Sequence, residues 1–109
     1  MILYRVVYTT PPTIADFRSH EARGRPVPPG ASEGSRRLWS GISVYDTEDR
    51  ARQTALDYPR LGTFIAEIDI PDEGSIHVER TTNSLGHYTL WGEAATIMAR
   101  VVAVRPITG

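Results

Sequence analysis

The stretch Leu38–Pro59, LWSGISVYDTEDRARQTALDYP, constrains the fold more than any other. Its opening, LWSGISVY, is rich in β-branched and aromatic residues and ends at a turn signal, so it reads as a strand. Asp46 and Thr47 are favourable N-caps, and Glu48 and Asp49 place negative charge in the first helical turn, where the helix dipole favours it. The helix then runs through Arg50 to Asp57. Pro59 ends it, because the residue before a proline is pushed out of helical geometry. Ala51, Ala55 and Tyr58 recur at spacings of four and three and share one face. Two alanines there allow the helix axis to lie close to a sheet. A strand that turns sharply into a small-faced helix creates a corner where a site can form, and Ser43 and Tyr45 share a strand face beside it. Tyr45 can stack on a flat ring and Ser43 can bind a sugar or carboxylate. Equally, Ser43 can bond the turn backbone while Tyr45 fills the core.

The rest of the chain supplies partners for this unit. With 109 residues a single domain spanning 1–109 is expected, long enough to bury a core without staples. Ile2–Thr9 reads as a strand with Tyr4, Val6 and Tyr8 on one face and Leu3, Arg5 and Val7 on the other. Arg5 interrupts an apolar face, so it requires a partner, a ligand or an exposed surface. Pro11 and Pro12 end the strand, and Thr13 can cap a short helix over 14–23, with Ile14, Phe17 and Glu21 inward. Residues 24–37, with three prolines and three glycines, read as a long surface loop. Residues 62–70 alternate, with Phe64, Ala66, Ile68 and Ile70 facing one way. PDEG is a turn, SIHVER a further strand, and TTNSLG a loop. His87–Trp91 is a short extended piece, and 92–96 a helical turn. Ile97–Val104, apolar on both faces except at Arg100, reads as a central strand. The pattern predicts five or six strands and two short helices, an α+β fold with one small, split, mostly antiparallel sheet.

Composition excludes several chemistries. The chain has no cysteine, hence no disulfide, thiolate metal site or thiol nucleophile. All twelve basic residues are arginine, so every fixed cation is a planar fork suited to phosphate or carboxylate. A net charge of −1 attracts neither DNA nor an anionic membrane in bulk. No leader peptide and no long apolar run is evident, so a soluble, cytoplasmic protein is expected.

No nucleotide-loop, zinc-protease or nucleophile-elbow motif occurs. His20, His77 and His87 follow no metal-ligand spacing, so no metal is expected. His77 and Glu79, two apart on one strand face, combine with Arg5 and His87 as an acid–base set for RNA cleavage or form a solvated polar face. Glu93 stands before the closing apolar run, where it can stabilise a developing cation or simply sit at a helix start. Arg36 and Arg37 end the long loop as anion ligands or as a solvated pair. Trp39 and Trp91 fill the core or line a pocket rim.

Four blocks taken in order, LYRVV, SGISVYDTEDRARQTA, FIAEIDIP and ARVVAV, resemble the ADP-ribosyltransferase-like superfamily, and nearest within it the RES-domain toxins and the rifamycin ADP-ribosyltransferases. The LYRVV, ISVY and TLWG blocks also resemble those of a family of short uncharacterised bacterial proteins. The superfamily resemblance implies NAD, as substrate, in a cleft between the halves of the sheet. It implies a protein that cleaves NAD or transfers ADP-ribose, with an antitoxin or other protein as partner. Arg5 then holds the NAD phosphate or ribose, and Ser43 or Tyr45 frames the nicotinamide. Glu79, Asn83, Ser84 or Glu93 supplies the third motif, and Arg37, Trp39, His77 and Glu79 add binding contacts. Two features of the RES pattern are missing. No residue from Arg50 to Leu56 is acidic, and Arg37-Leu38-Trp39 is the nearest echo of its Gly-Arg-Trp-Asn run. A binding module without catalysis, for a protein or a small ligand, is the alternative.

Overall fold

A computed structural model describes residues 1–82 and 85–108. Six strands form one antiparallel sheet: β1 (Ile2–Val7), β2 (Ile42–Tyr45), β3 (Phe64–Asp69), β4 (His77–Arg80), β5 (His87–Trp91) and β6 (Val101–Pro106). Their order across the sheet is β4-β5-β2-β1-β3-β6. Three α-helices join them: α1 (Glu33–Trp39), α2 (Glu48–Asp57) and α3 (Ala94–Met98). The protein is therefore a small α+β fold. Among the described residues, no helix is long and apolar enough to cross a membrane.

The central corner forms as its sequence dictates. Thr47 caps α2, its hydroxyl accepting from Arg50 N at 3.1 Å. Ala51 and Ala55 are buried against Val6, Ile65 and Ile107, which draws α2 onto one sheet face. Leu3 and Val7 alternate to the opposite face and join Val44, Ala66, Ile68 and Leu90 beneath Phe17 and Ile97. Phe17 belongs to a 3-10 turn, Ile14–Phe17, and Ile97 to α3, so both faces of the sheet are covered.

Several boundaries differ from the sequence expectation. Tyr58 caps the C-terminus of α2 and is 64% exposed rather than sharing the alanine face. The helix expected over 14–23 is a single 3-10 turn at Ile14–Phe17; of the three residues expected inward only Phe17 is buried, while Ile14 and, beyond the turn, Glu21 are exposed. Thr13 N donates to Asp16 Oδ2 at 2.9 Å and Tyr8 N to Asp16 Oδ1 at 2.8 Å, so the carboxylate ties the turn to the end of β1. The expected loop 24–37 and strand 38–45 share a helix instead. Ser32 caps α1 by accepting from Ser35 N at 3.1 Å, and Leu38 and Trp39 are its last turn. α1 buries no residue fully, so apolar spacing cannot announce it; only its caps and end charges do.

β6 is an edge strand, not a central one. Ile97 and Met98 belong to α3, and the strand starts at Val101. Val101 and Val104 pack on the core, while Val102 is 58% exposed. Pro106 is the last residue of β6 rather than lying past it, a place an edge tolerates because its outer side needs no donor.

Candidate functional site

β1 and β2 are paired at one position, Tyr4 with Tyr45. By contrast β1 pairs with β3 along its whole length, from Ile2–Asp69 to Val7–Phe64. Beyond Tyr4 the first two strands part, and a cleft of about 250 Å³ opens between them. Its walls include Arg5, Tyr8, Ser43 and Tyr45 from the sheet region, Asp16 from the 3-10 turn, and Leu61 from beyond α2.

Arg5 occupies the parting. Its side chain starts on the face opposite α2, where it neighbours Ala66. Nε donates to the carbonyl oxygen of Asp16 and Nη1 to that of Ser43, each at 2.7 Å. Both partners are backbone groups, so the guanidinium replaces the ladder that β1 and β2 do not form there. Burial, then the nearby charge of Arg23, pushes the guanidinium down to about 10. Among the described residues no protein acceptor stands against Nη2.

Arg5, Ser43 and Tyr45 all line the cleft. The Ser43 side chain is exposed, and Arg5 meets that residue through its carbonyl rather than its hydroxyl. Tyr45 is half-buried, with the His87 ring edge-on at 5.5 Å between centroids.

The cleft also gathers residues that strand patterns do not mark. Arg18, His20, Arg23 and Arg25 line it, all from the segment RSHEARGR. Four cationic or imidazole side chains within eight residues, next to a Pro/Gly stretch, were a usable signal. Reading 14–23 as a helix and 24–37 as a loop divides them between two elements and hides it. Trp39 holds this segment in place. Its Nε1 donates to Arg25 O at 2.9 Å, its carbonyl accepts from Glu21 N at 3.2 Å, and its ring stacks on His20 at 4.2 Å. Burial of the imidazole, then Arg25, Arg23 and Arg5 in turn, holds His20 below its ordinary value.

Arg5, Arg18, Arg23 and Arg25 make no ion pair among the described residues. Asp16, the one carboxylate lining the cleft among the described residues, is occupied by the Tyr8 and Thr13 amides and by the Thr9 hydroxyl at 3.4 Å. Like charges gathered without counter-ions in a partly enclosed space favour a bound anion.

The remaining candidates lie elsewhere. Arg37 pairs with Glu79 and stands 4.2 Å above the Trp91 ring, and His77 approaches Glu79 at 3.4 Å. The Arg37 hydrogen bond, followed by that from His77, lowers the Glu79 carboxyl. This group fastens α1 to β4 and β5 and does not line the cleft, so Arg5 is not assembled with His77, Glu79 and His87 into one acid–base set. His87 Nδ1 instead meets the Thr81 hydroxyl at 3.0 Å. Trp91 donates to Arg37 O and to the Ser40 hydroxyl, both at 3.1 Å. Arg36 reaches Ala31 O at 3.4 Å. Glu93 is the N-cap residue of α3 and is not part of the cleft lining. Asn83 and Ser84 lie outside the described residues. Among the described residues no group of three or more His, Asp or Glu side chains is placed to hold a metal ion.

Comparison with known proteins finds no matching family model, no matching curated protein and no matching solved structure.

Proposed function

We propose that the cleft between β1 and β2 binds a phosphorylated nucleotide of the NAD class, holding its pyrophosphate among the arginines. The observation that carries this reading is the set of Arg5, Arg18, Arg23 and Arg25 around one cleft without an ion-pair partner among the described residues. Guanidinium forks match phosphate oxygens two at a time, and a diester pyrophosphate offers two such groups side by side. Ligand clefts commonly measure roughly 300–1,000 Å³. At about 250 Å³ this one has room for a pyrophosphate with one sugar, leaving the rest of a dinucleotide over the rim at Tyr8, Tyr45 and Leu61. The ADP-ribosyltransferase-like resemblance supports the same ligand class from the Arg5, Ser43 and Tyr45 positions.

Binding is favoured over cleavage. Breaking the bond to nicotinamide develops positive charge on the ribose, and a nearby carboxylate stabilises it. Asp16 is already engaged, while Glu79 and Glu93 are outside the cleft.

Calorimetric titration with NAD, ADP-ribose and adenosine tests the reading. NAD and ADP-ribose should bind, with affinity falling as salt rises, and adenosine should not. Arg18→Ala and Arg23→Ala should weaken binding at least tenfold without unfolding the protein. Equal binding of adenosine, or no binding of any of the three, would sink the proposal. A parallel assay for free nicotinamide should detect no turnover.

A further inference from the structure

His20 belongs to no site that strand spacing marks, yet three guanidinium groups act on it. We infer that His20 is a phosphate-binding residue of this cleft, taking up a proton as the anion arrives and donating from Nε2 to a phosphate oxygen. This rests on the cleft being an anion site, as proposed above.

The geometry sets up the exchange. Trp39, from α1, covers one face of the imidazole at 4.2 Å and carries no charge. Arg25 Nη1 lies 3.4 Å from Nδ1 and can only donate, so Nδ1 accepts and the neutral ring keeps its proton on Nε2. The charged groups acting on the ring are Arg25 and Arg23 from its own segment and Arg5 from β1, all positive. Burial of the imidazole, and then these three charges, disfavour its protonated form. A phosphate diester among the same three groups cancels their field and adds an acceptor, and both changes favour the imidazolium. The incoming proton, drawn from solvent, goes to Nδ1 and ends the contact with Arg25. That guanidinium then turns its donors to the ligand. His20 thus converts from a spectator into a fifth donor, and its protonation releases a cation for the same anion.

ADP-ribose is a suitable probe, because its diester phosphates do not titrate near neutral pH. The histidine ring signals are followed by NMR from pH 5 to 8, with and without ADP-ribose, using His20→Gln to assign them. His77 and His87 line no part of the cleft and serve as internal references. Saturating ADP-ribose should raise the His20 midpoint by about one pH unit, a tenfold linkage, and leave the other two unmoved. Affinity should strengthen about tenfold as pH falls through that window, and His20→Gln should remove the dependence. ADP-ribose that binds without moving His20, or a pH dependence that survives in His20→Gln, overturns this inference and leaves the binding site standing. Absence of ADP-ribose binding overturns the site itself, and this inference with it.

Discussion

Arg5 Nη1 donates to the carbonyl oxygen of Ser43 at 2.7 Å, across the place where β1 and β2 stop pairing. A side chain thereby closes a gap in a sheet. Its Nε does the same for Asp16 O at 2.7 Å, so one guanidinium satisfies two elements that would otherwise face the cleft unbonded. Hydrogen bonds from a charged donor contribute roughly 1.5–3 kcal/mol each, partly screened where the group is open to solvent. Arg5→Ala should therefore lower unfolding free energy by about 2–3 kcal/mol, measured by urea denaturation. Arg5→Lys should recover part of that, since an ammonium reaches one carbonyl but cannot fork to two. Loss of ligand in Arg5→Ala alone would not separate recognition from folding; Arg23 Nη2 also braces the 3-10 turn, donating to Ala15 O at 2.6 Å, so Arg18→Ala is the cleaner test.

Acid should loosen the other end of the molecule first. Arg105 reaches Glu48 Oε1 and Glu67 Oε1, each at 2.5 Å, and Arg52 holds Glu48 Oε2 at 2.5 Å. Arg52 also donates to the carbonyls of Pro106 and Ile107, so the network fastens α2 to β6 and the chain beyond it. The Arg105 hydrogen bond, followed in effect by the Arg105 charge and by Arg52, lowers the Glu48 carboxyl despite some opposing burial. A depressed folded value means the contribution is complete above the unfolded value of 4.5 and disappears as pH falls through the lower folded one. Urea midpoints measured from pH 6 to pH 3 should drop steeply below 4.5 in the native protein and less steeply in Glu48→Gln.

The α2 alanines set how near that helix lies to the sheet. Ala51 is fully buried against Val6 and Ile65. Ala51→Leu adds three carbons where no space exists, and overpacking of this kind costs roughly 1–3 kcal/mol. Substitution of leucine for Asp57, exposed at the end of α2, gives up only the exposed bond from Gln53 Nε2 at 2.9 Å and should shift stability by about 0.5 kcal/mol or less. A thermal melt of Ala51→Leu beside Asp57→Leu checks the contrast, and equal losses would mean that α2 does not pack as described.

The corner from Ile42 to Asp57 was legible because strand alternation, capping residues and two alanines at helical spacing agree there. β3 was legible for the same reason. α1 was not, because its residues EGSRRLW bury no complete side chain and a helix without an apolar stripe has no period to read. β6 was misplaced because apolar character on both faces marks a central strand only when both edges are paired; here the sheet ends with β6, and Val102 on it remains exposed. For the site, strand alternation paired Ser43 with Tyr45 but sets Arg5 on the opposite sheet face; only the family resemblance joined the three. The arginines of 18–25 could not be placed beside them, since what brings them to the cleft is a backbone path fixed by one residue of α1, Trp39. Long-range placement of irregular chain leaves no local periodicity.

Trp39 therefore offers the sharpest test of how the cleft is built. Its ring stacks on His20, its Nε1 donates to Arg25 O at 2.9 Å, and its carbonyl accepts from Glu21 N at 3.2 Å. Only the last survives any side-chain change. Trp39→Phe keeps an aromatic face but loses the Nε1 donor, a difference of about 1 kcal/mol for a neutral hydrogen bond, so ADP-ribose affinity should fall roughly fivefold. Trp39→Ala removes the stack as well and should weaken binding by more than tenfold. Trypsin cuts after arginine except before proline, so the freed segment should be cleaved at Arg18 and Arg23, but not at Arg25, which precedes Pro26, well before the strands. Calorimetry and timed digestion on the same two variants should rank them identically, Trp39→Ala beyond Trp39→Phe. Undiminished affinity in Trp39→Ala, with its segment cut early, would show that the loop arginines do not hold the ligand.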